Sequence, residues 1–506
     1  MALFNSILSW IIKKRIHQID LFLQYPHDVQ EEWITRLVST AKDTEWGKKF
    51  GYRSIKSSQA FKQRVPMQDY ESLKPYITRL RKEEQNILWP SEIKLFSKSS
   101  GTTEDKSKFI PVSQEALDEC HFKAGKDVLT IYCNNNPDTE MFSGKCLTLG
   151  GSNQINSFNN DSIYGDLSAI LIQNTPLWAE LLRTPDRSIA LLEGFEEKIR
   201  AIARTTHKEN VTTIAGVPSW MLILLKYMLN ESGKDSLLEI WPNLELFIHG
   251  GISFGPYREQ YEKLIPSSEM NYLETYSATE GFFGIQDQPD SDDMLLMLDY
   301  GIYYEFIPPD EIDKEEPRTI SLDAVLLGVT YALVISTNAG LWRYKIGDTI
   351  RFTSLDPYRV QVAGRIKHFI NAFGEELIID NAEKALAIAC KKSGAVITEY
   401  TAGPIYMSEG KAGAHEWFIE FEHKPEDLVY FTETLDNALK SLNSDYEAKR
   451  SGNMALNTPV VREMPKGIFF DWMKSRGKLG GQNKVPRLSN DRRYIEELQD
   501  LLAAEA

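Results

Sequence analysis

The sequence is short of cysteine, histidine and positive charge, and it contains no long apolar run. Four cysteines, Cys120, Cys133, Cys146 and Cys390, serve 506 residues. None forms a CxxC pair, and their spacing fits neither a disulfide framework nor a zinc site. A reducing, cytoplasmic setting is therefore expected. The eight histidines form no HExxH, and no GxSxG marks a serine nucleophile, so metal-hydrolase and triad chemistry have no footing. Neither GxxxxGK[ST] nor GxGxxG at a strand–helix turn is present, which removes the P-loop and dinucleotide folds. The formal net charge is −15. Binding nucleic acid takes a basic face that displaces counterions, so nucleic acid is not expected as a partner. No stretch approaches the roughly 20 apolar residues that span a bilayer. The opening "MALFNSILSWIIKKRIHQIDLFLQYP" places Lys13, Lys14 and Arg15 after its apolar run, the reverse of a signal peptide. It reads as an amphipathic helix packed on the domain.

What is present suits a large folded protein. Hydrophobic residues make up 42% and aromatics 11%, ample for a core, and the length calls for two or three domains. Residues 1–90 read as mostly helical, with Trp33, Leu37, Val38 and Ala41 on one helical face. "SEIKLFSKS", "CLTLGGS", "NLELFIHGG" and "MNYLETYSATEGFFGIQ" read as strands. "TTIAGVPSWMLILLKYML" reads as a strand, a turn at Gly216 to Pro218 and a helix capped by Ser219. Alternating strands and helices argue an α/β architecture. Residues 295–352 are strand-rich. A boundary is expected near Ala363, giving units 1–362 and 363–506, the second a small α+β domain.

Four segments carry candidate chemistry. "SKSSGTTEDKSKFIP", Ser97 to Pro111, packs six hydroxyls, one glycine and three lysines into 15 residues. A glycine lets successive N–H groups converge on one anion, hydroxyls add donors, and Lys106 and Lys108 add charge. The same composition also describes a solvated Ser/Thr loop. "YSATEGFFGIQ" offers Tyr276, Thr279 and a carboxylate, Glu280, suited to Mg²⁺ beside phosphate. Asp348 of "WRYKIGD" is placed to accept from two vicinal ribose hydroxyls. "GKLGGQNKVPRLS" is a glycine-rich segment carrying Lys484 and Arg487, of the kind that domain motion brings into a site. Each alone is an ordinary turn or loop.

In order, "SSGTT…K…P", "GVPSW", "YSATEGFF", "YKIGD" and "QNKVPR" resemble the auxin-responsive promoter (Gretchen Hagen) family of acyl acid–amido synthetases, along nearly the whole chain. The resemblance implies the adenylate-forming, firefly-luciferase-like fold: a large N-terminal α/β domain and a small mobile α+β lid. It implies the use of ATP and Mg²⁺ to adenylate a small carboxylic acid, with transfer of the acyl group to an amino acid; the oligomeric state is open, with a monomer as the default expectation. An acyl-CoA or acyl-carrier ligase and an inactive nucleotide-binding homologue are the rivals. Carried over, Ser99, Ser100, Gly101, Thr102, Thr103 and Lys108 become the phosphate loop, and Gly250, Gly251 and Tyr276 enclose adenine. Thr279 touches phosphate, Glu280 holds Mg²⁺, Asp348 holds ribose, and Lys484 is the lid lysine. Two departures stand out: Glu104-Asp105 where related enzymes have a second glycine, and Glu375-Glu376 where plant members carry a lysine.

Overall fold

The computed structural model describes residues 14–505 except 101–106, 152–155, 158–160, 366–368, 409–410, 477–484 and the single positions 193, 253, 290, 313, 315 and 454. Gly101, Thr102, Thr103, Glu104, Asp105, Lys106 and Lys484 thus lie outside the described residues.

Helix α1 (Pro26–Ala41) starts with proline at its first turn and buries Ile34, Leu37, Val38 and Ala41. Trp33, on the edge of that face, is half-buried beneath Arg36. Helix α2 (Tyr70–Arg81) opens with a full capping box, Asp69 accepting from the Ser72 N–H and Ser72 Oγ from the Asp69 N–H. The helices before residue 90 share one apolar core with the strand-rich segment, including Trp46, Tyr52, Phe61 and Trp342.

Strands β1 (Leu95–Ser100) and β2 (Ser107–Val112) pair antiparallel, so the hydroxyl-rich stretch is a hairpin in its described part. The main sheet takes β3 (Lys145–Leu149), while β4 (Ile163–Gly165) pairs parallel with β1. The short edge strand β5 (Arg183–Thr184) and the strands β6 (Val211–Gly216), β7 (Leu246–Gly250) and β8 (Asn271–Ala278) join β3 in the main sheet. It continues with β9 (Gly281–Ile285), β10 (Met294–Leu296), β11 (Ile302–Ile307), β12 (Thr330–Thr337), β13 (Tyr344–Leu355) and β14 (Tyr358–Arg365). The eleven strands run β11-β12-β13-β14-β10-β9-β8-β7-β6-β3-β5. The β5-to-β8 half is parallel and the rest antiparallel. The parallel half needs helical crossovers, which come from α3 (Leu167–Gln173), α4 (Phe195–Thr206), α5 (Pro218–Ser232) and α6 (Gly255–Leu264).

One expectation needs correcting. Ser219 does not cap α5: Val217 stands at the cap position without a side-chain bond, and Pro218 opens the helix. Ser219 lies inside the helix, fully buried, its Oγ without a hydrogen-bond partner among the described residues. Proline at the first turn needs no N–H, so the helix starts two residues earlier than a serine cap would have it.

Beyond β14, α7 (Ile379–Ser393) packs on α8 (Leu428–Leu442), and the two share an apolar core with the sheet β15 (Val396–Ile405), β16 (Ala414–His423) and β17 (Val460–Met464). α9 (Ser444–Arg450) follows α8 directly. This smaller unit shares a core with the parallel half, joining Trp241, Tyr257 and Tyr261 to Phe373, Trp417 and Tyr446. The Tyr257 hydroxyl donates to the Ala372 carbonyl at 2.7 Å, and Trp220 Nε1 to the Phe373 carbonyl at 3.2 Å. No helix among the described residues is long and apolar enough to cross a membrane.

Candidate functional site

In an open α/β sheet, ligands bind beyond the carboxyl ends of the parallel strands. Here β7 and β8 end in a cavity of about 650 Å³, which the β1–β2 hairpin and the start of the smaller unit also line.

The hairpin contributes by its pleat. Ser99 and Lys108 are direct cross-strand partners, and both face the cavity. β8 and β9 are joined by a two-residue turn, because Ala278 pairs with Gly281. The two turn residues are Thr279 and Glu280, so the tight turn holds both at the cavity wall. Thr279 Oγ1 donates to Glu280 Oε2 at 2.7 Å. Burial pushes the Glu280 carboxyl above its ordinary range; the Lys108 charge and the Thr279 bond pull it back, while Asp348 and Glu376 push it further up. Tyr344 is fully buried; burial, then the Glu280 carboxylate, hold its phenol far above the ordinary tyrosine range.

Asp348 owes its aim to an irregularity. β12 pairs Val334 with Lys345 and Ala332 with Thr349, leaving extra residues on β13 between them. Gly347 within that bulge adopts φ +99°, which favours glycine. The bulge turns Asp348 into the cavity, where the Tyr276 hydroxyl donates to Asp348 Oδ2 at 2.8 Å. Gly251, at φ +83°, lines the cavity. Gly250 stands behind it: a Cβ there would lie 2.4 Å from the Thr275 carbonyl oxygen, so only glycine lets β7 and β8 close up.

Ser99, Lys108, Gly251, Tyr276, Thr279, Glu280 and Asp348, from segments up to 249 positions apart, therefore meet at one cavity. Ser100 lies at the end of β1. Arg487, from the last segment, is turned away from this wall. It pairs with Glu399 and sits 4.7 Å from the Tyr400 ring centroid.

The cavity also holds Glu274 and His249, which sequence reasoning passed over, and Glu376, noted there only as a departure from the family pattern. Glu274 lies two residues before Tyr276 on β8, so the strand period puts both on one face; that was the available signal. Burial, then Asp292, push its carboxyl up to about 7 against the pull of Arg258. Burial, then Arg258, push His249 down to about 3, and its Nδ1 has no hydrogen-bond partner among the described residues. Glu376 lines the cavity at φ +39°. Its neighbour Glu375 turns inward, accepting from the Phe373 N–H at 2.7 Å and meeting His415 Nε2 at 2.7 Å. Nothing local distinguishes these two glutamates in the sequence.

Solved structures place this architecture. An acyl acid amido synthetase in complex with 2,4-DB is similar at a TM-score of 0.60 and 17% identity, over 94% of this chain and 93% of that one. A 2-hydroxyisobutyryl-CoA ligase in complex with 2-HIB-AMP and CoA is similar at 0.56 and 13%, over 94% and 92%. The fold is thus the adenylate-forming α/β fold, a large N-terminal domain with a smaller C-terminal one. The chain belongs to the GH3 family of acyl acid–amido synthetases. Residues 15–270 match the GH3 family N-terminal domain, 295–365 its central domain and 380–493 its C-terminal domain. It is 25% identical to an indole-3-acetic acid-amido synthetase of Arabidopsis thaliana, over 91% of this chain and 89% of that protein. It is 26% identical to a jasmonoyl–L-amino acid synthetase of Nicotiana attenuata, over 93% and 92%. The family is adenylate-forming, which implies ATP, and acts on small acids and amino acids.

Proposed function

We propose that this chain is an ATP-dependent acyl acid–amido synthetase, which adenylates a carboxylic acid with release of pyrophosphate and transfers the acyl group to an amino acid. The supporting observation is the convergence of the hairpin, the Thr279–Glu280 turn and the Tyr276–Asp348 pair on one cavity. Residues 1–362 form the adenylation domain and 363–506 a lid that moves near Ala363. Ser99, Ser100, Gly101, Thr102, Thr103 and Lys108 cradle the phosphates. Tyr276 and Gly250-Gly251 enclose adenine, and Asp348 takes the ribose hydroxyls. Thr279 touches phosphate, and Lys484 arrives with the lid at the α-phosphate. The acid lies beside Val217 to Met221.

Among the described residues no group of three or more histidines, cysteines, aspartates or glutamates could hold a metal. Mg²⁺ needs no such group: it keeps its waters, takes one or two carboxylates and shares substrate phosphates. Glu280 fits, because its carboxyl is raised by burial and by two further acids, a strain that a cation would relieve. When bound, Mg²⁺ would neutralise phosphate charge as the substrate carboxylate approaches. The protein's own part is to fix both reactants in line, which can supply about 7–11 kcal/mol of the barrier. A monomeric, cytoplasmic enzyme with four free thiols is the reading that accompanies this function.

Acid-dependent exchange of labelled pyrophosphate into ATP tests the first half, and a screen of amino acids against CoA tests the second. Exchange with no acid of a broad panel would leave a nucleotide-binding protein without catalysis. A thioester without any amide would make the chain a CoA ligase.

A further inference from the structure

One carboxyl on the cavity wall is left unused by the chemistry above. β8 runs out toward the phosphates: Thr279 and Glu280 lie just past its end, and Tyr276, bonded to Asp348, lies behind them. Glu274 is two residues further back on the same face, about 7 Å along the strand. That step is the reach of a purine from its ribose. Gln286 fixes the backbone there. The Glu274 N–H donates to Gln286 Oε1 at 2.8 Å, and the Glu274 carbonyl accepts from the Gln286 N–H at 2.9 Å. Gln286 Nε2 is taken up by the Ser291 carbonyl at 2.7 Å. The strand is thus held, while the Glu274 carboxyl itself makes no hydrogen bond or ion pair among the described residues.

The groups around it supply no partner. His249 of β7 is its direct cross-strand neighbour. That imidazole is 3% exposed and stacked on Phe254 with ring centroids 4.2 Å apart. Burial, then Arg258, keep it neutral, so it offers no cation. Arg258 of α6 lies over the Phe254 and Tyr272 rings, 5.0 and 5.5 Å from their centroids. Asp292, just before β10, is exposed and opposes a second negative charge. Tyr406 and Asp491 of the smaller unit line the same cavity, and Asp491 Oδ1 already accepts from the Ser489 hydroxyl at 3.0 Å. Burial and Asp292 therefore favour the neutral acid at Glu274, against the pull of Arg258.

The protonation state decides what the group can read. A neutral carboxyl sets one donor beside one acceptor, whereas an ionised one only accepts. Adenine turns outward an acceptor, N1, beside a donor, its 6-amino group, and so matches the neutral acid at both atoms. Guanine turns two donors to the same place, N1–H and the 2-amino group, which suit the ionised form instead. We propose that Glu274 reads the outer edge of the nucleotide base, its carboxyl O–H donating to adenine N1 and its C=O accepting from the 6-amino group. Loss of that proton replaces the donor to N1 by a repelling charge, so selection of the base is tied to pH. The inference rests on the ATP-dependent reading above and deepens it.

The test measures binding to the full chain by titration calorimetry, from pH 6 to pH 9, of ATP and of 1-deaza-ATP, in which a C–H replaces N1. The two share ribose and phosphates, so the ratio of their Kd values isolates the N1 contact. The unaltered chain should prefer ATP by about fivefold at pH 6, the yield of one hydrogen bond between neutral groups. That preference should vanish as pH rises through 7. Glu274→Gln, whose amide N–H donates to N1 at every pH, should hold the preference constant to pH 9. Glu274→Leu should show none at any pH; circular dichroism reports whether it folds, and Glu274→Gln carries the reading if it does not. A preference in the unaltered chain that is absent, or equal at pH 6 and pH 9, overturns this inference alone when acid-dependent pyrophosphate exchange is intact. So does a folded Glu274→Leu that keeps the preference. An unaltered chain that binds neither nucleotide overturns the proposed function, and this inference with it.

Discussion

Glu280 shows how one side chain can be ordinary in sequence and singular in space. It is a turn residue whose carboxyl is pressed upward by burial and by Asp348 and Glu376, with Lys108 opposing. A group held that way is either relieved by a cation or a cost to the fold. We expect Glu280→Ala to reduce acid-dependent pyrophosphate exchange by about 10²–10³, the usual yield of a preorganised electrostatic group, without lowering the melting temperature. Exchange near the unaltered rate would remove Glu280 from the mechanism. Gly250 carries the opposite kind of constraint, since a Cβ would collide with Thr275 backbone. Gly250→Val should destabilise the protein by about 1–3 kcal/mol through overpacking, read from denaturant unfolding. Neither effect was visible in the letters: the sequence offered a Glu after a strand and a double glycine, and the neighbours that decide their roles lie dozens to hundreds of residues away.

At the scale of elements, local signals were read unevenly, and for a physical reason. The capping box of α2 is a short-range hydrogen-bond pattern, complete within four residues. The start of α5 offered two competing signals, Ser219 as cap and Pro218 as first helical residue, and proline prevailed. A pair of variants separates them. Asp69→Ala should cost about 1 kcal/mol, the value of an N-cap. Ser219→Ala should cost nothing or stabilise slightly, because its buried hydroxyl has no partner to lose among the described residues. Equal losses in thermal melts would contradict this assignment. The hydroxyl-rich stretch is the other lesson. Its composition fits a loop, but cross-strand pairing made its described part a hairpin, and the two-residue pleat then gave its faces different company: Ser99 toward the cavity, Lys98 toward α9.

Over the whole molecule, buried ionic links fasten distant parts. Arg343 Nη2 donates to Glu305 Oε1 at 2.8 Å, and its Nη1 to the carbonyls of Lys62 and Val65 at 2.8 and 2.7 Å. It thereby joins the N-terminal helices to the sheet. Arg343→Met should cost about 3–5 kcal/mol, since Glu305 is left buried without its cation; a change under 1 kcal/mol in chemical denaturation would show the link to be dispensable. Stability should also depend on pH from two sides. Folding lowers His121 to about 4 and His249 to about 3 by burial, so acidification below about 6.5 costs stability. Folding raises Glu274 from 4.5 to about 7, so the stability tied to its neutral form is present below 4.5 and is lost as pH rises through 7. Glu274→Gln should therefore melt higher than the unaltered protein at pH 8 and alike at pH 4.5. The difference will be modest because the group is only half-buried. A constant offset across that range would mean that Asp292 and Arg258, the charges facing it, do not act as assigned.

By itself the sequence determined what repeats or sits close together. This covers the strand–helix alternation that makes an α/β protein, the ordered motifs that mark the GH3 family, the absence of disulfide and zinc patterns, and the residue types a nucleotide needs. Only the tertiary structure decided which of these residues face one another. It brought Asp348 round on a bulge to Tyr276, turned Glu375 inward and Glu376 outward, and set Lys449 of the smaller domain over Trp220 of the larger. The physical reason is range. Propensity and periodicity act over a few residues, whereas desolvation and Coulomb coupling act over ångströms between segments that the chain keeps far apart.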